Sequence, residues 1–433
     1  MYTIIYGISS PTELFLKSSI NTGNNLFACT DGGESYKGTQ ALSLEDLALV
    51  PHDQIDRIII CSMFVSEICN GLREKGLPLE RTYFFDHTKK KLIHYNALLA
   101  KQVSSEDILY AVYDLSVHLA CFDVINFVVL AEIARIEQHK THIQFILVHD
   151  RSTVGENFNT LRFHDADDYA WRIEKIVKTV FTCVPSYISI TEFPFKEDAF
   201  IFLATKENVF PESYYTNKKS PAINTLLLRS VPLKYDMSVL SAPLVGKNLA
   251  ASFLNSLPDN KKIIVITLRE YEAQPKRNSD IAQWSAFLDS LDLTIYCPVI
   301  IRDTYQSTEK PDDRLKKYIH CPQASMDFCV RLALYELAYI NMGVSSGPNY
   351  SISFVKGARS IIFQMIDENN PASSSWTAKR SGLEIGKDFF FNDSKLQMTI
   401  WEKDDLNHLQ HAFDILVARI NKLTKINPQQ AGQ

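Results

Sequence analysis

The chain has 433 residues and a formal net charge of −5, with 46% hydrophobic and 22% charged residues. That length exceeds what one hydrophobic core supports, so two or three domains are expected, and the composition excludes a mostly disordered chain. A mildly acidic balance with no basic field excludes nucleic acid as the main partner, while leaving room for a local basic patch that meets a phosphate or a lipid.

The first hundred residues read as a small α/β unit. Tyr2–Ile8 is β-branched and strand-like, and Ser9, Ser10 and Pro11 supply the start signals of a helix over Thr12–Ser19. Leu26–Thr30 is a second strand ending in the turn Asp31-Gly32-Gly33, and the apolar Arg57–Cys61 is a third. Ser66–Lys75 is a helix closed by Gly76, and Thr82–Phe85 a fourth strand. The polar, basic stretch His87–Ser105 reads as a link with no partner strand and sets a boundary.

A second unit then opens. Ile108–Tyr113 is a strand ending in Asp114, Cys121–Gln138 a helix, Ile143–Val148 a strand ending in His149-Asp150, and Asp167–Val180 a helix. Tyr187–Ile190 and Ala199–Leu203 read as strands, and Ile223–Leu240 as a further strand and loop. Pro243–Leu257 is the helix that leads into a third unit. There, Lys262–Leu268 is an unbroken strand ending in Arg269-Glu270, followed by a helix over Asp280–Leu291 and a strand over Leu293–Ile301. Ser325–Tyr339 reads as one long amphipathic helix, Ile340–Val344 as a strand, and Tyr350–Lys356 as a helix after the loop Ser345-Ser346-Gly347-Pro348-Asn349. Arg359–Phe363 is a strand, Leu406–Leu423 the closing helix, and the tail from Asn427 is frayed. Strands alternating with helices predict parallel, doubly wound sheets. The expected fold is therefore α/β, with a small Rossmann-like domain over 1–100 and Rossmann-like domains over 105–242 and 243–425.

No run reaches the ~20 apolar residues that a spanning helix needs. The opening MYTIIYGI lacks a basic n-region and a small-residue cleavage site, so no export signal is expected. Eight scattered cysteines without a CxxC pair read as reduced thiols in a cytoplasmic protein rather than as a zinc site.

Three places could carry chemistry. Ser345, Ser346, Gly347, Pro348 and Asn349 form a small polar loop between a strand and a helix. Its backbone N–H groups would receive an anion, or it is an ordinary capped turn. Arg269 stands past a strand end, where doubly wound sheets bind ligands, with Glu270 beside it and Arg277 following. A guanidinium there could clamp a diphosphate, and the alternative is a surface salt bridge with Glu270 or Glu272. Asp114 and Asp123 are strand-end and helix-start carboxylates that could act as general base toward a hydroxyl, or serve as caps. His149-Asp150 and Asp303 are further strand-end acids. Asp312-Asp313 and Asp404-Asp405 read as solvent-facing or capping pairs, so no metal site is expected. Trp376, Gln397 and Trp401 lie in a loop-rich stretch, where the aromatics would stack on a base or sugar or pack the closing helix. The first unit reads as a nucleotide or sugar site at Gly7–Pro11 and Ser62, or as a scaffold or partner-binding domain; Gly7-Ile8-Ser9-Ser10-Pro11 lacks the GxGxxG pattern that lets a backbone approach a pyrophosphate closely.

The stretch TDGGESYKGTQALSLEDL with DRIIICSMFVSEICNGLREKGLPLERTYFF resembles the small Rossmann-like domain of polysaccharide-biosynthesis proteins. NMGVSSGPNYSISFVKGARSIIFQM resembles the donor-site segment of GT-B glycosyltransferases, especially heptosyltransferase-like and fucosyltransferase-like ones, and Arg269 resembles the strand-end arginine of the latter. Ser345 stands where the heptosyltransferase pattern often has Asp, and Asn349 and Tyr350 also depart from it. The resemblance implies a glycosyltransferase, of the inverting kind and needing no cofactor or metal, since the nucleotide sugar is its substrate. Arg269, Glu270, Arg277 and 345–349 would bind the donor, and Asp114, Asp123 and Arg269 would act in catalysis. A glycan or other hydroxyl compound would be the acceptor, and peripheral membrane association and oligomeric state stay open. The alternatives are a nucleotide-sugar epimerase of the same fold and a non-catalytic assembly protein of a polysaccharide pathway.

Overall fold

The computed structural model describes residues 1–21, 24–29, 35–36, 38–94, 105–149, 166–212, 214, 223–232, 234–272, 274–370 and 373–426. The turn expected at 31–33, Asp150 and the tail from Asn427 lie outside the described residues. The chain divides into two compact units, Met1–Ser104 and Ser105–Gln433.

The first unit is built on β1 (Tyr2–Tyr6), β2 (Asn24–Ala28), the short hairpin β3 (Ser35–Tyr36) and β4 (Thr39–Gln40), β5 (Ile55–Ile60), β6 (Thr82–Asp86) and β7 (Lys91–His94). Its main sheet runs β2-β1-β5-β6-β7, and β7 alone is antiparallel to its neighbour. β7 falls in the stretch expected to be a link without a partner strand. Asp86 Oδ1 accepts from the amides of Thr88 and Lys89, both at 3.1 Å, and so turns the chain back. Leu92 and Ile93 then pair with Phe85 and Phe84.

The second unit holds two parallel sheets. The first has β8 (Ile108–Asp114), β9 (His142–Val148), β10 (Tyr187–Phe193) and β11 (Val209–Phe210) in the order β10-β9-β8-β11. The second has β12 (Lys262–Thr267), β13 (Tyr296–Ile301), β14 (Ile319–His320), β15 (Ile340–Val344), β16 (Ser360–Phe363) and β17 (Gln397–Ile400) in the order β14-β13-β12-β15-β16-β17. Counted within each sheet, these orders are 3-2-1-4 and 3-2-1-4-5-6, the Rossmann arrangement, in which the winding direction reverses between the first and fourth strands. The fold is α/β: two Rossmann-like sheets, with a small Rossmann-like unit preceding them in the chain. β8 is buried along its whole length, as a central parallel strand covered on both faces must be. One apolar cluster runs from Leu109, Phe127 and Phe145 of the first sheet region to Val265, Val299 and Leu332 of the second, so a single core crosses the junction near residue 242.

Three local expectations need correction. Ala199–Leu203, read as a strand, belongs to a helix over Lys196–Leu203. Ala199 and Leu203 are its buried residues, spaced four apart, and Glu197 and Asp198 occupy the first turn, where the helix dipole favours acids. The long helix expected over 325–339 is two helices, Pro322–Met326 and Phe328–Leu337. Asp327 is extended between them, and its Oδ1 accepts from the amides of Cys329 and Val330 at 2.8 and 3.2 Å, starting a new helix. The stretch around Gln397, read as loop-rich, supplies the edge strand β17.

The helix Leu244–Leu254 lies close against Phe328–Leu337 because Gly246 has no side chain. A Cβ there would sit 2.6 Å from the carbonyl oxygen of Cys329. Gly246→Ala should therefore destabilise the protein by about 1–3 kcal/mol through overpacking, measured as a lower denaturation midpoint in urea.

Candidate functional site

In the six-stranded sheet the winding reverses between β12 and β15, and the carboxyl ends of these two strands carry Arg269 and the Ser345–Asn349 loop. Loops leaving in opposite directions open a crevice at such a point. After β12 the chain folds back on itself. The Arg269 amide donates to Ser279 Oγ at 3.0 Å, and the Tyr271 amide donates to Asn278 Oδ1 at 3.0 Å. This double tie brings Arg277 alongside Arg269. Both guanidiniums donate to one acceptor, Gln274 Oε1, at 3.2 Å from Arg269 Nη2 and 2.8 Å from Arg277 Nη1. Arg277 Nη2 also reaches the Ser345 carbonyl at 3.5 Å, which joins the two loops of the crevice.

Neither guanidinium forms an ion pair among the described residues, and the Nε of each is buried without a hydrogen-bond partner. Burial lowers the pKa of Arg269. Burial and then the like charge of Arg269 bring Arg277 down to about 10. Two partly desolvated cations held together by a neutral amide are an electrostatic arrangement that an anion would complete.

Glu270, expected to bind the donor, is held instead by Arg302. Arg302 donates from Nε and Nη2 to the two Glu270 oxygens at 2.9 and 2.7 Å. The salt bridge foreseen between Arg269 and Glu270 is thereby replaced by one that leaves Arg269 free of it. Asp303 accepts from the Glu270 amide at 2.6 Å, and burial raises its pKa, opposed by that bond and by Arg331 and Arg269.

The Ser345–Asn349 loop is narrower as an anion receiver than its sequence suggests. Ser346 caps the helix Gly347–Ser351 by accepting from the Asn349 amide, and Pro348 has no N–H. The Asn349 side chain is buried and points back to the strand, with Nδ2 donating to the Val344 carbonyl at 2.8 Å. Asn349 therefore fixes the turn rather than facing a ligand. Gly347 is needed because Phe122 packs on it: a Cβ there would lie 2.6 Å from Phe122 Cδ2. The close approach that glycine permits is thus made by an aromatic ring of the other half of the unit.

That contact brings Asp123, the next residue, to the seam between the halves, and Asp123 is exposed. Across the same seam Tyr350 donates its hydroxyl to Asn126 Oδ1 at 2.7 Å. Asp114 is placed differently. It is 1% exposed, and its carboxylate accepts from the Ser116 amide and hydroxyl at 2.9 and 2.6 Å and pairs with Lys196 at 2.7 Å. An acid so satisfied anchors the end of β8 and is not an accessible base, which corrects the role expected for Asp114. His149 Nε2 lies 3.0 Å from Glu192.

Beside Arg277, a cavity of about 470 Å³ is lined by Lys276, Met365, Asp367, Trp401 and Lys403 among others, at the ends of β16 and β17. That volume is within the ~300–1,000 Å³ of small-molecule sites. Asp367 Oδ2 is a further buried oxygen with no partner among the described residues. Trp401 Nε1 donates to the Lys387 carbonyl at 2.6 Å, which fixes the indole plane. Trp376 is 64% exposed on the helix Ser375–Arg380 and carries Arg380 over its ring. Gln274, Ser279 and Asp367 were not foreseen as site residues; the close sequence spacing of Arg269, Gln274 and Arg277 was the available signal.

No family model matches the chain, and no curated protein matches it. Among solved structures it is similar to a glycosyl transferase family 9 protein from Veillonella parvula, at 11% identity and a TM-score of 0.44, over 72% of this chain and 88% of that one. It is also similar to the ADP-heptose lps heptosyltransferase II of E. coli, at 9% identity and a TM-score of 0.31, over 98% and 99% of the two chains. A third likeness is to the UDP-GlcNAc 2-epimerase of Neisseria meningitidis, at 10% identity and a TM-score of 0.29, over 98% and 93%.

At the end of β8, His118 is 5% exposed and stacks on Tyr113 at 4.6 Å between ring centroids. Burial lowers its pKa from 6.5 to about 4, partly opposed by Asp114. Below pH 6.5 the unfolded chain takes up a proton here that the folded chain refuses. Stability therefore falls as the pH drops from about 6.5 to about 4, by ~3 kcal/mol from this group. In His118→Gln the loss of urea stability over that interval should be smaller than in the parent chain.

Proposed function

We propose that the protein is a glycosyltransferase that binds a nucleotide-activated sugar at the switch point of its six-stranded sheet and moves the sugar to a hydroxyl acceptor. The observation that carries this reading is the Arg269–Gln274–Arg277 cluster: two guanidiniums, short of partners, at the place where doubly wound sheets take ligands. Their five-donor forks suit the oxygens of a diphosphate. The adjoining cavity would take the nucleoside, with Trp401 and Met365 against the base and Asp367 accepting from ribose hydroxyls.

In this reading the acceptor oxygen attacks the anomeric carbon as Asp123 removes its proton. The bond from that carbon to the diphosphate breaks, and the electron pair leaves with the phosphate oxygen. Charge then grows on the leaving group, where Arg269 and Arg277 are already oriented to receive it. Asp123 is assigned the base because it is the exposed carboxylate next to Phe122, which touches the donor loop. The reaction inverts the anomeric centre, since base and leaving group act on opposite faces.

Isothermal titration of the full chain with UDP, ADP, GDP and CDP tests the donor site. At least one should bind, and Arg269→Ala and Arg277→Ala should each weaken it roughly ten- to hundredfold, the worth of a charge-assisted hydrogen bond. Binding of none of the four by folded protein would refute the reading. Asp123→Asn should keep that affinity and lower turnover about 10²–10⁴-fold, followed as nucleoside diphosphate release.

A further inference from the structure

The first unit has its own switch point. Counted within its sheet, the order β2-β1-β5-β6-β7 is 2-1-3-4-5, so the winding reverses between β1 and β5. A cavity of about 270 Å³ opens there, at the carboxyl ends of β1, β2 and β5. Its wall includes Gly7, Cys29, Ser62, Phe64, Glu67 and Gly71. Two glycines in its wall pack closely on their neighbours. Gly7 has φ of +105° and a Cβ there would sit 3.1 Å from the Cys61 carbonyl, while a Cβ on Gly71 would meet Leu44 at 2.9 Å.

The side chains at the mouth define what can enter. Phe64 is 60% exposed and its neighbour Met63 84%, an uncommon outlay of apolar surface on one short loop. Glu67 is exposed and has no ion pair among the described residues. Ser62 Oγ accepts from the Phe64 amide at 3.2 Å, which leaves its hydroxyl proton to donate outward. Among the described residues the lining contains no Lys, Arg or His, and its one charged side chain is Glu67, which disfavours a phosphate or carboxylate. The volume lies below the ~300–1,000 Å³ of larger ligand pockets, enough for one ring.

We propose that this cavity binds one neutral monosaccharide unit of a glycan. An aromatic face takes the C–H face of a pyranose, a carboxylate accepts from two neighbouring ring hydroxyls, and a serine hydroxyl donates to a third oxygen. Phe64, Glu67 and Ser62 provide these three contacts around one opening. The inference stands on the first unit alone and does not depend on the donor site.

Saturation-transfer NMR on the full chain, with the methyl glycosides of glucose, galactose, mannose and N-acetylglucosamine as probes, tests it. At least one glycoside should receive saturation. Phe64→Ala and Glu67→Gln should each reduce that signal at least tenfold, and Arg269→Ala and saturating UDP should leave it unchanged. Absence of transfer to all four glycosides overturns the proposal. So does a signal that survives both Phe64→Ala and Glu67→Gln, or one that is lost in Arg269→Ala or on adding UDP, which would place the sugar in the second unit. Because both altered side chains are exposed, the variants should fold, and an unchanged melting temperature verifies it.

Discussion

Two positive charges are held side by side, partly out of water, with a neutral amide as their common acceptor. Everything proposed for the second unit depends on this arrangement of Arg269, Gln274 and Arg277. Desolvating each cation costs several kcal/mol, roughly, and proximity adds repulsion. A protein that only needed to fold would place a carboxylate here. Glu270 is adjacent in sequence, yet Arg302 takes both of its oxygens. The surrounding bonds thus withhold Glu270, and Asp303 attracts Arg269 through space without an ion pair, while the backbone ties to Ser279 and Asn278 keep the arginines together.

The two sheets of this unit follow the same winding order but use their switch points differently. At the end of β8 the charged group is satisfied within the protein: Asp114 is buried and paired with Lys196 and Ser116. At the end of β12 the charged groups are left incomplete. One switch point is closed by an internal ion pair, and at the other neither arginine has an ion pair among the described residues, so the two halves differ despite their common topology. Contacts between the halves then set what lies near the end of β12. Phe122 on Gly347 and Tyr350 on Asn126 fix the seam, and Asp123 is exposed beside it.

Much of the architecture was legible in the chain, because β-branched runs such as Lys262–Thr267 and Ile340–Val344 stand out against the helices between them. Failures came where short-range pattern and long-range context diverge. The apolar run at 199–203 looks like a strand, but its burial repeats every four residues. β7 and β17 are edge strands, and pairing with a neighbour defines them more than composition does. Within the candidate site, Arg269 and Arg277 are visible as residue types after a strand, but that neither forms an ion pair among the described residues is a property of three dimensions. Asp114 shows the converse: its position after a strand suggested a base, and only Lys196, brought in by a helix read as a strand, reveals the anchor. The sequence also held no sign that Phe122, far from Gly347 along the chain, would occupy the space beside that glycine.

In the proposed reading the two arginines are kept at a cost to stability because an anion is what they receive. Urea unfolding of the double variant Arg269→Met, Arg277→Met, with and without inorganic pyrophosphate, tests it most directly. Without pyrophosphate the variant should be at least as stable as the parent, by up to about 4 kcal/mol, because the uncompensated charges are gone. Saturating pyrophosphate should stabilise the parent and leave the variant unchanged. A variant several kcal/mol less stable than the parent, or a parent indifferent to pyrophosphate, would make the arginines structural and leave no anion site there.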